Sequence, residues 1–103
     1  MVAHSAISKL ADPAKLAAFC AANGIRGIRI FGSFARGDQT PESDIDILLE
    51  FTAGSDPDLF ELGGMQQDLC EIFNREVDLK IPDMFSPHNL ERVVSNSVIA
   101  FAA

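Results

Sequence analysis

The 103-residue sequence lacks tryptophan and tyrosine, has only two cysteines, and contains 8 basic against 15 acidic residues. Its net charge of −7 weighs against a protein that coats or reads nucleic acid, because such proteins usually present a basic face to the phosphates. No stretch has the length of a membrane span, and the N-terminus resembles no signal peptide. We therefore expect a cytoplasmic protein that neither enters a membrane nor binds nucleic acid directly.

The two cysteines, Cys20 and Cys70, fall at apolar positions of predicted helices. Thiols at such positions are usually buried, and a disulfide is not expected in a reducing compartment. The length of the chain allows one hydrophobic core but not a catalytic domain with a separate substrate domain. The sequence therefore predicts a single domain over residues 1–103, for which the acceptor of any chemistry has to come from outside.

Capping residues and hydrophobic periodicity predict the order α-β-α-β-α-β-α, which indicates an α+β or α/β domain with a small mixed sheet flanked by helices. The predicted strands are 25–31, 44–51 and 76–81. The predicted helices begin at Asp12-Pro13, Ser33, Asp56-Pro57 and Ser86-Pro87, with a further short helix around residues 5–10 and an apolar tail over 98–101. Within the third helix, Gly63-Gly64 indicates either close packing on the sheet or a local break.

Three aspartates lie on the polar sides of two predicted strands. Asp44 and Asp46 are one residue apart, so on a strand they point to the same side about 6.6–6.8 Å apart and can share a cation. The opposite side of that strand is apolar, with Ile45, Ile47 and Leu49. The strand 76–81 alternates in the same way and carries Asp78 on its polar side. Each aspartate alone could be a solvated residue on an open sheet face, but aspartate is depleted in strands, and three in this pattern favour a metal site.

The repulsion between neighbouring carboxylates also favours a bound cation. Two of them about 5 Å apart repel by roughly 3 kcal/mol at an effective dielectric constant of about 20. A proton or a metal ion can neutralise such a pair. Mg²⁺ suits these ligands, because it prefers oxygen, keeps several waters and is commonly completed by substrate phosphates.

The Gly32-Ser33 turn precedes the acidic strand and can hold a phosphate. Glycine lets the backbone approach a ligand closely, serine offers a hydroxyl, and the start of the next helix presents free N–H groups. Arg36 could reach a β- or γ-phosphate, or could instead form an exposed pair with Asp38 or Glu42. Gly-Ser is a common turn pair and by itself does not indicate phosphate binding. Its position directly before the acidic strand is what favours the phosphate hypothesis.

These residues together resemble a known signature. Gly32-Ser33, ten further residues, Asp44-Ile45-Asp46 and the later Asp78 resemble the motif of nucleotidyltransferases in the DNA polymerase beta-like superfamily. The string Gly32-Ser33-Phe34-Ala35-Arg36-Gly37, Ser43 and the short chain resemble the minimal nucleotidyltransferases called MNT. The likeness covers about residues 25–81 and implies the minimal nucleotidyltransferase fold.

The resemblance implies transfer of AMP from ATP to an acceptor hydroxyl with release of pyrophosphate. By carry-over, Gly32 and Ser33 hold the triphosphate, while Asp44, Asp46 and Asp78 act as catalytic carboxylates and ligands of two Mg²⁺ ions. Many MNT proteins are antitoxins that adenylylate a tyrosine of a HEPN-domain ribonuclease toxin, which implies such a toxin as partner and acceptor. Two alternatives stay open: transfer to a small-molecule hydroxyl such as an aminoglycoside, and a non-enzymatic antitoxin that neutralises its partner by binding.

Overall fold

The structure is a computed structural model that describes residues 11–102, so the helix predicted around residues 5–10 lies outside the described residues. In this range no helix combines the length and the apolar character that crossing a membrane requires. The elements in chain order are α1 (Pro13–Asn23), β1 (Ile25–Phe31), α2 (Ser33–Arg36), β2 (Ile45–Phe51), α3 (Leu59–Phe73), β3 (Val77–Lys80), a 3-10 helix (Pro82–Met84), α4 (Pro87–Ser95) and β4 (Val98–Ala102).

Side-chain caps fix where the helices begin. Asp12 accepts a hydrogen bond from the Ala14 N–H and Ser86 accepts one from the Asn89 N–H, so two of the predicted starts are confirmed. The predicted start at Asp56-Pro57 is wrong by two residues. Asp58 caps α3 instead, because its carboxylate accepts from the backbone of Glu61 while the Glu61 carboxylate accepts from the backbone of Asp58.

The glycine pair in α3 neither breaks the helix nor packs against the sheet. The helix runs continuously from Leu59 to Phe73, and Gly63 and Gly64 both face outward. A Cβ at either position would meet no atom within 4 Å. Both alternatives drawn from the sequence are therefore wrong, and the pair lies on an exposed helix surface.

The four strands form one mixed sheet in the order β3-β2-β1-β4. β1 pairs antiparallel with β2 and with β4, while β2 and β3 are parallel. The predicted mixed sheet flanked by helices is thus confirmed. The prediction of an apolar tail after α4 is wrong, because residues 98–102 form an edge strand whose Val98, Ala100 and Phe101 pack against the core.

One face of the sheet is covered by α1 and α3 and holds the hydrophobic core. Ile47 of β2 is fully buried on this face, as are residues of the neighbouring elements, among them Leu16, Ile28, Ile30, Ile45, Leu49 and Leu69. Cys20 of α1 is also buried here, as predicted, whereas Cys70 of α3 is only half-buried; both thiols are free.

The second face of the sheet is covered more thinly. The 3-10 helix and α4 lie against β2 and β1, and they bury Leu48 completely. No residue of α4 is fully buried, and its apolar side chains Leu90, Val93 and Val94 are half-buried. This face also carries Phe31 and the half-buried Asp46, which lie opposite each other in the β1–β2 pair.

Candidate active site

Two of the predicted carboxylates lie side by side on the second face of the sheet. Asp46 of β2 and Asp78 of β3 are directly paired in the parallel register, so their side chains point to the same side. Asp46 is half-buried, whereas the Asp78 side chain is 48% exposed. Asp44 lies one residue before β2 and is exposed. The pairing brings Asp46 and Asp78 together, whereas Asp44 lies outside the strand pairing, two residues before Asp46.

The electrostatics of this pair centre on Asp46. Its pKa is raised above the ordinary value of 3.8, first by burial, then by the charge of Asp78 and a side-chain hydrogen bond with it, and then by the charge of Asp44. The ammonium of Lys80 lies 3.5 Å from Asp78 Oδ1, and its positive charge lowers the pKa of Asp46. This effect opposes those that raise the pKa. The site therefore concentrates more negative charge than its own cation neutralises.

The donor set fits a magnesium ion that a substrate completes. Among the residues described, no three acidic, histidine or cysteine side chains converge closely enough to enclose a metal by themselves. Mg²⁺ is commonly held by one or two carboxylates together with substrate phosphates and water, so it needs no such enclosure. Asp46 and Asp78 supply the carboxylates. The negative charges of Asp78 and Asp44 contribute to the raised pKa of Asp46, after burial, and a cation at this place would offset that repulsion.

Gly32 brings the backbone directly against the carboxylate of Asp46. Its φ of 71° and ψ of −145° are favourable only for glycine. A Cβ at this position would overlap with Asp46 Oδ2 and lie 3.0 Å from Asp46 Cγ. The glycine predicted to approach a phosphate is therefore also the residue whose missing side chain leaves room for the central carboxylate.

Ser33 and Arg36 flank this turn in α2. Ser33 is the first residue of α2, directly after Gly32, and it is half-buried. Arg36 forms the exposed ion pair that was the alternative to phosphate binding: its Nε lies 3.2 Å from Asp38 Oδ2, and both side chains are more than 60% exposed. A pair this exposed contributes little to stability, so a phosphate can compete for the guanidinium.

Arg75 is a positioning residue that the sequence reasoning missed. Its Nη1 donates hydrogen bonds to the carbonyl oxygens of Pro41 at 3.2 Å and Ser43 at 3.0 Å. Its guanidinium also lies 5.0 Å from the centre of the Phe34 ring in α2. The Arg75 side chain thus connects α2, the loop that ends at Asp44 and the segment just before β3. No local sequence pattern signals this role, because both carbonyl partners lie more than 30 residues earlier in the chain.

Comparison with solved structures places the fold. A toxin–antitoxin crystal structure with AMP-PNP superposes with a TM-score of 0.71 at 23% identity, over 89% of this chain and 74% of that chain. A structure of the tri-AMPylated Shewanella oneidensis HEPN toxin in complex with MNT antitoxin gives a TM-score of 0.62 at 20% identity, over 88% of this chain and 70% of that chain. At these identities the likeness shows a shared fold.

Sequence comparison extends the relation beyond the fold. The chain is 36% identical over 76 residues to the putative protein adenylyltransferase MJ0435 of Methanocaldococcus jannaschii, which is 74% of this chain and 80% of that protein. Residues 14–100 match the family described as nucleotidyltransferase domain, a range that includes Gly32, Asp46 and Asp78. This chain belongs to the nucleotidyltransferase domain family.

Proposed function

We propose that this protein transfers AMP from ATP to a tyrosine hydroxyl of a HEPN-domain toxin, releases pyrophosphate and thereby acts as an antitoxin. The observation that carries the proposal is the contact between the Gly32 backbone and the Asp46 carboxylate, with Asp78 paired beside it. This contact puts a turn suited to phosphate next to carboxylates suited to a cation. Reaction of a nucleoside triphosphate requires both, because its negative charge has to be held and neutralised together.

In the proposed complex, Gly32 and Ser33 bind the triphosphate. Gly32 provides no side-chain cap for the first N–H groups of α2, and Ser33 with its hydroxyl follows directly in the same turn. Because α2 has only four residues, we assign the binding to these individual donors and not to a helix dipole. Arg36 exchanges its exposed pair with Asp38 for a β- or γ-phosphate oxygen.

Asp44, Asp46 and Asp78 are the proposed ligands of Mg²⁺. When bound, magnesium neutralises charge on the triphosphate and lowers the pKa of the acceptor hydroxyl. Asp78 is the proposed acceptor of the hydroxyl proton, since it is the more exposed member of the central pair and so can meet an incoming tyrosine. The tyrosine oxygen forms a bond to the α-phosphorus, the bond from that phosphorus to the bridging oxygen breaks, and pyrophosphate leaves.

A protein acceptor suits this chain better than a small molecule. The chain contains no tyrosine of its own, and the match to the nucleotidyltransferase domain covers residues 14–100. Asp78, the proposed acceptor of the hydroxyl proton, is 48% exposed, so a protruding side chain of another protein can reach it. The MNT antitoxin that shares this fold was solved with an AMPylated HEPN toxin, which supports the same class of acceptor here.

The direct test is to incubate the purified protein with ATP, Mg²⁺ and a purified HEPN-domain toxin. Intact-mass spectrometry should show the toxin heavier by one or more AMP units, and peptide mapping should place them on tyrosine. The Asp44→Ala, Asp46→Ala double variant should leave the toxin unmodified and fail to protect cells from it. Asp68→Ala is the matched control, since Asp68 is an exposed aspartate on α3, the helix that covers the opposite face of the sheet.

The same experiment separates catalysis from simple binding. If the double variant folds, leaves the toxin unmodified and still protects cells, the protein neutralises its partner by occlusion and the enzymatic proposal is wrong. An unmodified toxin with the wild-type protein, under conditions where ATP binds, would equally exclude this acceptor.

A further inference from the structure

β3 (Val77–Lys80) forms one edge of the sheet, and among residues 11–102 no strand pairs with its outer side. An unpaired edge offers backbone N–H and C=O groups to an extended segment of another chain. The same strand carries Asp78, whose side chain is 48% exposed. The open edge and the proposed acceptor of the hydroxyl proton therefore lie on one strand of four residues.

The hydrogen-bond pattern shows which backbone groups this edge presents. The Ile45 N–H donates to the Glu76 carbonyl at 3.0 Å, so Glu76 and every second residue after it bond to β2 in the parallel ladder. The N–H and C=O groups of the residues between, Val77 and Leu79, point outward. The Val77 carbonyl indeed accepts a hydrogen bond from the Gln66 side chain of α3, at 3.1 Å. Leu79 therefore presents one donor and one acceptor to whatever lies beside this edge.

An open groove of about 660 Å³ adjoins the start of this edge, along α3 and the segment that leads into β3. Gln66, which bonds to β3, is part of its lining, as are Glu71 and Glu76, both exposed. Of the described residues that line it, the one cation is Arg75, whose guanidinium already donates to two carbonyl oxygens of the loop before β2. The groove therefore suits a peptide segment that carries a positive charge.

A strand added to this edge would place one of its side chains next to Asp78. Residues directly opposite each other on neighbouring strands point to the same face, with Cβ atoms about 4.5–5.5 Å apart. Because Asp78 directs its own N–H and C=O to β2, it would form a non-hydrogen-bonded pair with an antiparallel strand, the pair in which side chains lie closest. A tyrosine side chain is longer than the spacing of strands, so its hydroxyl can reach the carboxylate pair from there.

We propose that an extended segment of the acceptor protein, which contains the target tyrosine, adds to β3 as an antiparallel strand and bonds to the backbone of Leu79. The residues after the tyrosine then enter the groove, where a basic side chain faces Glu71 and Glu76. The inference rests on the proposed function and states how its acceptor is held. A second copy of this chain at the same edge would cover Asp78 in both molecules and exclude the acceptor.

Amide hydrogen exchange measured by NMR tests the pairing directly. The complex contains the protein, the toxin, Mg²⁺ and an ATP analogue with a methylene group between its α- and β-phosphates, so transfer cannot occur. The Leu79 amide should exchange at least about tenfold more slowly in this complex than in the free protein, because it gains a hydrogen bond. The amide of Gly54, in the turn that follows β2, is the control and should keep its rate.

Leu79→Pro and Leu79→Ala form a matched pair of variants, because both lose the leucine side chain and only proline loses the N–H. An edge strand tolerates proline where the N–H points outward. Leu79→Pro should raise KM for the toxin at least about fivefold above that of Leu79→Ala, with a similar kcat, since one hydrogen bond to the acceptor is lost.

A second pair of variants tests the groove. Glu76→Lys should raise KM for the toxin at least about threefold, because it places a positive charge where a basic side chain has to lie. Glu91→Lys makes the same change at an exposed glutamate of α4 outside the groove, and it should leave KM unchanged.

The outcomes separate this inference from the proposed function. If the wild type transfers AMP while the Leu79 amide exchanges as in the free protein, the acceptor does not pair with β3 and the proposed function stands. Equal KM values for folded Leu79→Pro and Leu79→Ala would also overturn the inference; if the proline variant does not fold, the exchange experiment decides. Protection of Leu79 in the protein alone, increasing with its concentration, would show a second copy at this edge. If the wild type transfers no AMP to the toxin, the proposed function fails and this inference with it.

Discussion

The two faces of the sheet differ in what their residues contribute. The face against α1 and α3 is lined by fully buried aliphatic side chains, and it contributes the hydrophobic core. The face under α4 carries a half-buried carboxylate, an exposed one beside it and a cavity. β2 contributes to both, because neighbouring residues of a strand point to opposite sides.

Asp46 and Ile47 illustrate this difference, because they are adjacent in β2 and their side chains point to opposite faces of the sheet. Ile47 is completely buried, and its burial stabilises the fold. Asp46 is partly desolvated next to another carboxylate, which raises its pKa and costs stability in the absence of a cation. The fold therefore gains its stability on one face and holds unfavourable charge on the other.

The largest expected effect comes from removing that charge. Asp46→Asn keeps the shape of the side chain but loses its charge, so AMP transfer to the toxin should slow by about a thousandfold, or about 4 kcal/mol on the barrier. The free energy of unfolding of the metal-free protein should stay the same or rise, because Asp46 no longer repels Asp78. Radiolabel transfer from ATP and urea denaturation measure the two quantities. A variant that keeps a tenth of the activity would contradict the central role of Asp46.

Ile47→Ala should have the opposite effect to Asp46→Asn: a loss of stability with little change in activity. Loss of a fully buried isoleucine leaves a cavity in the core, and the free energy of unfolding should fall by about 3 kcal/mol. Transfer activity per folded molecule, measured well below the melting temperature, should change little. Ile99→Ala is the control, because Ile99 on β4 is 47% exposed and should cost much less. Equal losses at the two positions would show that the core does not lie on the α1 and α3 face.

The burial of Cys20 on the core face should also make the stability of the protein depend on pH in the alkaline range. Burial raises the pKa of this thiol from 9.0 to about 11. Between these values the unfolded chain loses the thiol proton while the folded protein keeps it, so stability is complete below pH 9 and falls as pH rises. The loss should reach about 2–3 kcal/mol by pH 11. Urea denaturation from pH 8 to 11 should show a steeper decline for the wild type than for Cys20→Ala; parallel declines would mean that the thiol is not buried.

The sequence predicted the core face better than the site face, for physical reasons. The alternation of Ile45, Asp46 and Ile47 in β2 and helix caps such as Asp12 are local signals, and such signals placed most strands and helices correctly. β4 was missed because Val98–Ala102 is apolar throughout and becomes a strand only by pairing with β1. The acidic residues were predicted from spacing, but the contact of Gly32 with Asp46 joins segments that only the folded sheet brings together.

Arg75 illustrates the same limit on the site face. Its partners Pro41 and Ser43 lie more than 30 residues earlier in the chain, so no local pattern could predict the bonds. Arg75→Lys keeps the charge but cannot reproduce the planar guanidinium that faces Phe34 while it donates to both carbonyls. Transfer should slow by about tenfold, mainly in kcat, because the loop before Asp44 is held less firmly. Arg26→Lys, at an exposed arginine, should show no change; a loss confined to KM would contradict a positioning role.

The smallest expected effect compares glycines of the two faces. Gly64 lies in the middle of α3 with open space around it, so Gly64→Ala should raise the free energy of unfolding by about 0.5–1 kcal/mol. Gly32→Ala, in contrast, places a Cβ against Asp46 at a backbone conformation that alanine rarely adopts, so it should lower both stability and transfer. Thermal melting and the transfer assay on both variants measure the difference. If Gly64→Ala destabilised the protein, that outer surface of α3 would have to be packed against something, and its glycine pair would have a role in binding.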